Sequence, residues 1–167
     1  MMPAARPRRP MAGVRRQFPY LVPLLAWMAV IAVLSTDVGS SSRTTDPVIR
    51  IVHRLLFPSS PPEHVQAQFE LLSWVIRKSA HLSEYAILGV LACRWLRFSF
   101  HPSQLALHLA AVSLAGSYAG LDELHQLFLP SRTGAGTDIL VDLAGALVGA
   151  VLFAWHRRRR AATAGGC

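Results

Sequence analysis

The chain has 167 residues and a formal net charge of +8; 52% of its residues are hydrophobic and 16% charged, with a mean hydropathy of +0.35. That is room for one domain, and a composition too apolar for an ordinary soluble one, so a membrane protein is expected. The basic excess does not describe a nucleic-acid surface, because the arginines gather beside apolar runs and not along a soluble face. The cysteines imply neither a disulfide framework nor a metal knuckle: Cys93 lies in an apolar run and Cys167 is the last residue.

Residues 1–17 are basic and precede the apolar run "FPYLVPLLAWMAVIAVL". A charged stretch followed by an apolar one has the layout of a secretory signal. No small-x-small cleavage site follows, so a retained first membrane helix over Phe18–Leu34 is expected, with Pro19 and Pro23 in its first turns, where proline is tolerated. The connection from Ser35 to Ala80 starts with the polar "STDVGSSSRTTDP". Within it "VIRIVHRLLF" alternates apolar and basic residues at helical spacing, as an interfacial helix does. After "PSSPPE", Val65, Phe69, Leu72 and Ile76 predict an amphipathic helix leading into the second span.

Three further segments are long enough to cross the hydrocarbon core as helix: His81–Phe98, Leu105–His125 and Asp138–Trp155. The fold expected is an all-α bundle of four transmembrane helices over residues 18–155, with a long outer loop carrying interfacial amphipathic helices and a basic tail at 156–167. Placing both termini in the cytoplasm puts eleven basic residues inside against six outside. The start of span two, the end of span three and the start of span four then share the outer face.

Those three ends hold nearly all the intramembrane ionisable groups. Lys78, His81 and Tyr85 form one stripe in "RKSAHLSEYAILG". Asp122 faces with His125 and Gln126, while Glu123 shares a line with Gly116 and Gly120. Asp138, Asp142, Gly145 and Gly149 form a stripe in span four. "GSYAG" and "GALVG" are small-xxx-small motifs that let helices approach closely, which would turn Glu123 and Asp142 towards the bundle centre.

Three readings suit such a cluster. Its acids can pair with Arg132, Lys78, Arg77 and the histidines as a structural lock, although buried ion pairs are poor stabilisers compared with apolar packing. It can perform acid–base or nucleophilic chemistry, with His81 or Glu123 as base and Lys78 or Arg132 holding an anion. Or Asp122, Glu123 and Asp138, with His81, can hold a divalent cation such as Mg²⁺ or Mn²⁺, for which no diagnostic spacing is present. The remaining histidines read as solvated or interfacial, and the terminal arginines as a topology anchor attracted to anionic lipid.

The ordered set "KSAHLSEY", "DELHQLFLPSR" and "DILVDLAGALVG" resembles the VanZ-like family of bacterial membrane proteins, over Arg77 to Val151. The family pattern of Lys, His and Tyr opening one helix is matched by Lys78, His81 and Tyr85. Its Asp-Glu pair, Gln, Arg after a turn, and Asp followed by glycines are matched by Asp122, Glu123, Gln126, Arg132, Asp138, Gly145 and Gly149. Asp142 departs from the pattern, since many relatives have Asn there; a role that needs a neutral amide is thereby in doubt. The resemblance implies a multi-pass protein of the bacterial inner membrane, and a link to tolerance of teicoplanin, a lipid-bearing glycopeptide. It supplies no reaction. Lys78, His81, Glu123 and Arg132 are the candidates for catalysis, and Tyr85, Asp122, Gln126, Asp138 and Asp142 for binding. The partners expected are the lipid bilayer and a lipid-linked envelope precursor or lipoglycopeptide.

Overall fold

A computed structural model describes residues 13–36, 46–58, 62–128 and 137–164. Five helices follow one another: α1 (Val14–Leu34), α2 (Asp46–Leu56), α3 (Pro62–Phe100), α4 (Gln104–Gln126) and α5 (Thr137–Ala164). No strand occurs among the described residues.

Three of the helices carry a stretch long and apolar enough to cross a membrane: Arg15–Leu34, Gln104–Gln126 and Thr137–Thr163. The expected second span is the C-terminal half of α3, which does not meet that standard. Glu84, Arg94 and Arg97 interrupt its apolar run. The expected amphipathic helix and this segment form one continuous helix of 39 residues.

α1 starts four residues before the expected span, which moves both prolines out of the first turn and into the helix. Without an N–H, Pro19 and Pro23 leave the carbonyls four residues earlier, on Arg15 and on Pro19, with no intrahelical donor. At the other end of the hairpin between α3 and α4, His101 adopts a φ of 51°, the left-handed conformation that ends α3. Ser103 then caps α4, its side chain accepting from the Ala106 N–H at 3.3 Å.

Every other described helix packs on α3, and its interface with α5 is the most extensive. The core between them is built from small residues at helical steps: Ala111, Ala115 and Ala119 on α4, Ala146 and Ala150 on α5, with Tyr85 and Leu88 on α3. Small side chains are what brings helices together where lipid removes the hydrophobic drive. At three positions α3 and α5 touch backbone to backbone. A Cβ on Gly145 would overlap the Leu82 carbonyl, one on Gly149 the Ala86 carbonyl, and one on Gly89 would lie 2.5 Å from the Ala146 carbonyl oxygen. Leu82–Gly145 and Ala86–Gly149 step in the same chain direction, as do Lys78–Asp138 and His81–Asp142, so α3 and α5 are parallel neighbours with α4 antiparallel to both.

The "GSYAG" motif behaves differently from the expectation. Beside Gly116 lies only the flexible end of Leu143, and nothing lies within 4 Å of the Cβ position at Gly120. The close face of α4 is its alanine line, which continues into Asp122 and Gln126. Asp122 is buried at this end of α4, and Glu123 is half-buried beside it with one carboxylate oxygen out of contact with solvent.

Candidate functional site

The parallel approach of α3 and α5 sets the first part of the site. Because the glycines hold the two backbones together, side chains one and two turns towards the helix starts meet across a short gap. Lys78 forms an ion pair with Asp138, each about one-fifth exposed, 18% and 21% of the side chain. One turn deeper, His81 Nδ1 lies 3.2 Å from Asp142 Oδ1. That pair is more withdrawn, with Asp142 only 4% exposed in its side chain. A further turn in is Tyr85, wholly buried, whose hydroxyl has no hydrogen-bond partner among the described residues. Three polar layers thus descend the α3–α5 seam from a paired, accessible rim to a buried, unpaired phenol.

The second part joins α1 to α4. Asp122 Oδ2 accepts from the Ser35 hydroxyl at 2.7 Å and from Gln126 Nε2 at 3.0 Å. Deeper on the same two helices the Tyr118 hydroxyl donates to the Met28 carbonyl at 2.5 Å. The Trp27 indole N–H donates across to the Glu84 carbonyl of α3 at 2.9 Å. Tyr85 lies between the two parts: its ring is 6.5 Å from that of Tyr118, and its hydroxyl is within electrostatic reach of both Asp142 and Asp122.

The stripe Lys78, His81, Tyr85 and the stripe Asp138, Asp142 are therefore brought together as their spacing suggests. Asp122 and Gln126 are brought to the same end, but their partner is Ser35 and not the α3 cations. Arg132, which falls between α4 and α5 in the sequence, lies outside the described residues. Three participants escaped the sequence reading: Ser35, Tyr118 and Trp27. Ser35 follows directly on an apolar run, a position where a hydroxyl reads as the start of a loop, and only the packing of α1 on α4 gives it a carboxylate to bind. As for a divalent ion, Asp122 and Asp138 are engaged on different helix pairs, and no group of three or more potential ligands comes together among the described residues.

This is an arrangement of three engaged carboxylates, Asp138, Asp142 and Asp122, around a buried phenol, closed by parallel helices with glycine at the contact. The family model of VanZ/LLP1 matches residues 20–157, from the start of α1 to near the end of α5. The chain belongs to the VanZ/LLP1 family. Neither a curated protein nor a solved structure matches it. Membership together with the three apolar helices makes it a membrane protein, and the matched region takes in both parts of the site.

Proposed function

We propose that this VanZ/LLP1 protein crosses the bacterial cytoplasmic membrane four times, with both termini in the cytoplasm, and binds the polar head of a lipid-borne envelope molecule at its outer face. The C-terminal half of α3 is the fourth crossing. At about 1.5 Å per residue the whole helix is roughly 58 Å long, near twice the thickness of a hydrocarbon core. Its N-terminal half then stands outside the bilayer with α2 against it, where His53 Nε2 and Gln68 Oε1 lie 3.1 Å apart. α2 is the interfacial element of this arrangement: it buries Ile49 and leaves Ile51 and Leu55 exposed beside Arg50 and Arg54.

The observation that carries the binding reading is the Tyr85 hydroxyl. A buried polar group without a partner costs roughly 1–3 kcal/mol. A bundle selected only for stability would be better served by phenylalanine, so the phenol beneath two paired carboxylates points to use. Lys78 and Asp138 offer a cation and an anion together at the accessible rim. A zwitterionic or hydroxyl-rich head, as on a lipid-linked wall precursor or a lipoglycopeptide such as teicoplanin, can take over both partners at once. Tolerance of such an antibiotic would follow from sequestering it or its target.

A second reading, catalysis on an envelope lipid, draws on one feature. Asp142 is placed to orient the His81 imidazole, as the carboxylate partner of a general base does. Under it, loss of His81 abolishes function outright; under binding, substitutions weaken it by degrees.

Expression of the wild type, Lys78→Met, His81→Ala and Glu123→Gln in a teicoplanin-susceptible host tests the proposal. Membrane level, Tm in detergent and tolerance are measured together. Lys78→Met and His81→Ala are expected to stay abundant and folded while tolerance falls. Tolerance that falls only in proportion to protein level would make the cluster a structural rim and overturn the binding reading.

A further inference from the structure

The opposite end of the bundle has a chemistry of its own. Between Val14 and Leu34, Tyr85 and Leu121, and Leu143 and Ala164 there is no Asp or Glu, yet these segments hold Arg15, Arg16, Arg94, Arg97 and the run Arg157–Arg160. Packing concentrates part of that charge. Arg94 of α3 and Arg157 and Arg160 of α5 line a cavity of about 730 Å³, together with His156. Its remaining lining is apolar: Val90, Leu152 and Phe153. A second cavity of about 300 Å³ shares Arg94, Phe153 and Arg157 and extends to Tyr20 and Arg97.

Aromatic faces hold two of these guanidinium groups in place: Arg94 lies 5.8 Å from the Tyr20 ring centre and Arg157 6.0 Å from that of Phe153. Arg97 spends one N–H on the Pro102 carbonyl at 3.0 Å. Arg157 and Arg97 repel one another, and a buried Nη1 of Arg157 has no acceptor among the described residues. Like charges gathered at exposed and half-buried positions without a counter-ion are unfavourable unless an anion from outside the protein completes them. The described segments forming this end of the bundle contain no carboxylate that does so.

We propose that this pocket binds an anionic glycerophospholipid, its phosphate among Arg94, Arg157 and Arg160 and its acyl chains along Val90, Leu152 and Phe153. Guanidinium forks suit a phosphate. The apolar wall selects a lipid over a free ion, because it runs on from the cations, Leu152 is 49% exposed, and the cavity is far larger than one phosphate needs. Basic pockets between membrane helices are suited to anionic headgroups. The pocket does not depend on the reading of the Lys78–Asp138 end; only its assignment to the cytoplasmic leaflet rests on the proposed orientation. An opposite orientation would move it to the other leaflet and leave its chemistry intact.

The test uses the purified full chain in detergent. Dioleoyl phosphatidylglycerol or dioleoyl phosphatidylcholine is added in mixed micelles, and retained lipid is read by native mass spectrometry alongside Tm. Phosphatidylglycerol should be retained and raise Tm, and phosphatidylcholine should do neither. Arg94→Gln with Arg157→Gln should weaken retention about thirtyfold, from roughly a factor of five per arginine. Arg50→Gln with Arg54→Gln, the same charge change on α2, should keep it. Arg160 is exposed, so Arg160→Gln alone should fold and lose about fivefold, which keeps the test decisive if the double variant does not fold. Equal retention of the two lipids by the wild type, or equal loss in both double variants, would overturn the proposal. Displacement of phosphatidylglycerol by sodium phosphate alone would make this a free-anion site and overturn the lipid assignment.

Discussion

Gly145 of α5 rests against the main-chain carbonyl of Leu82 in α3, three residues beyond Asp142 on one helix and one beyond His81 on the other. The contact that packs the helices therefore also sets the gap across which the site's side chains meet. Gly145→Ala puts a methyl group onto a carbonyl that cannot swing aside. Overpacking of this kind typically costs about 1–3 kcal/mol, and here it should separate His81 from Asp142 as well. Gly120→Ala, with open space at its Cβ position, should be neutral or stabilising by up to about 1 kcal/mol through helix propensity. Thermal unfolding of both variants in detergent decides the matter; a Gly145→Ala protein as stable as the wild type would show that the two helices do not touch there.

Removing the hydroxyl of Tyr85 should not destabilise the protein. Tyr85→Phe deletes a buried group that has no partner among the described residues, so Tm should hold or rise by the equivalent of about 1 kcal/mol. Tolerance in a susceptible host should nonetheless fall if the phenol serves a ligand. A clear loss of stability would mean that the hydroxyl is bonded after all.

The two polar pairs of the α3–α5 seam should differ in strength. Double-mutant cycles measure each, with Leu replacing the acids and Ala or Met the cations. His81 with Asp142 should couple by about 0.5–2 kcal/mol, in the range found for buried polar pairs in membrane bundles. The more exposed Lys78 with Asp138 should give about 0–1 kcal/mol and weaken with added salt. Asp142→Asn should cost less than Asp142→Leu, since an amide oxygen can still accept from His81. A larger coupling at the outer pair would reverse the order of burial inferred for the seam.

Strain at the α3–α4 turn offers a stabilising change. His101 holds a φ of 51°, which costs a residue with a Cβ about 1–2 kcal/mol and glycine nothing comparable. His101→Gly should raise stability by about 1 kcal/mol, less the extra chain entropy of glycine in the unfolded state. Denaturant titration in mixed micelles reads the change. A fall would imply that the imidazole makes a contact worth more than the strain.

Orientation is open to a direct check. Fused after Cys167, a green fluorescent protein should fluoresce and an alkaline phosphatase should stay inactive, because eleven basic residues favour the cytoplasmic side against six. The opposite pattern would put the Lys78–Asp138 end of the bundle in the cytoplasm and remove the proposed encounter with envelope ligands.

Sequence alone determined the helical class, three of the four expected apolar spans and the family, because each is written in local patterns. Length of apolar run, placement of arginines and the ordered motif from Lys78 to Gly149 need no partner to be read. Periodicity also put Lys78, His81 and Tyr85 on one stripe and Asp138 with Asp142 on another, and the seam joins them in register. What periodicity lacks is the rotation of each helix about its own axis. That rotation depends on which small residues find a backbone to approach, a property of two helices at once. So Gly116 and Gly120, alike in sequence to Gly145 and Gly149, play no comparable part, and Asp122 is the more deeply buried of the two adjacent acids. The same limit hid Ser35, whose carboxylate partner lies on α4 across 87 positions of sequence. It also hid the arginine pocket, which exists only because α3 and α5 end side by side.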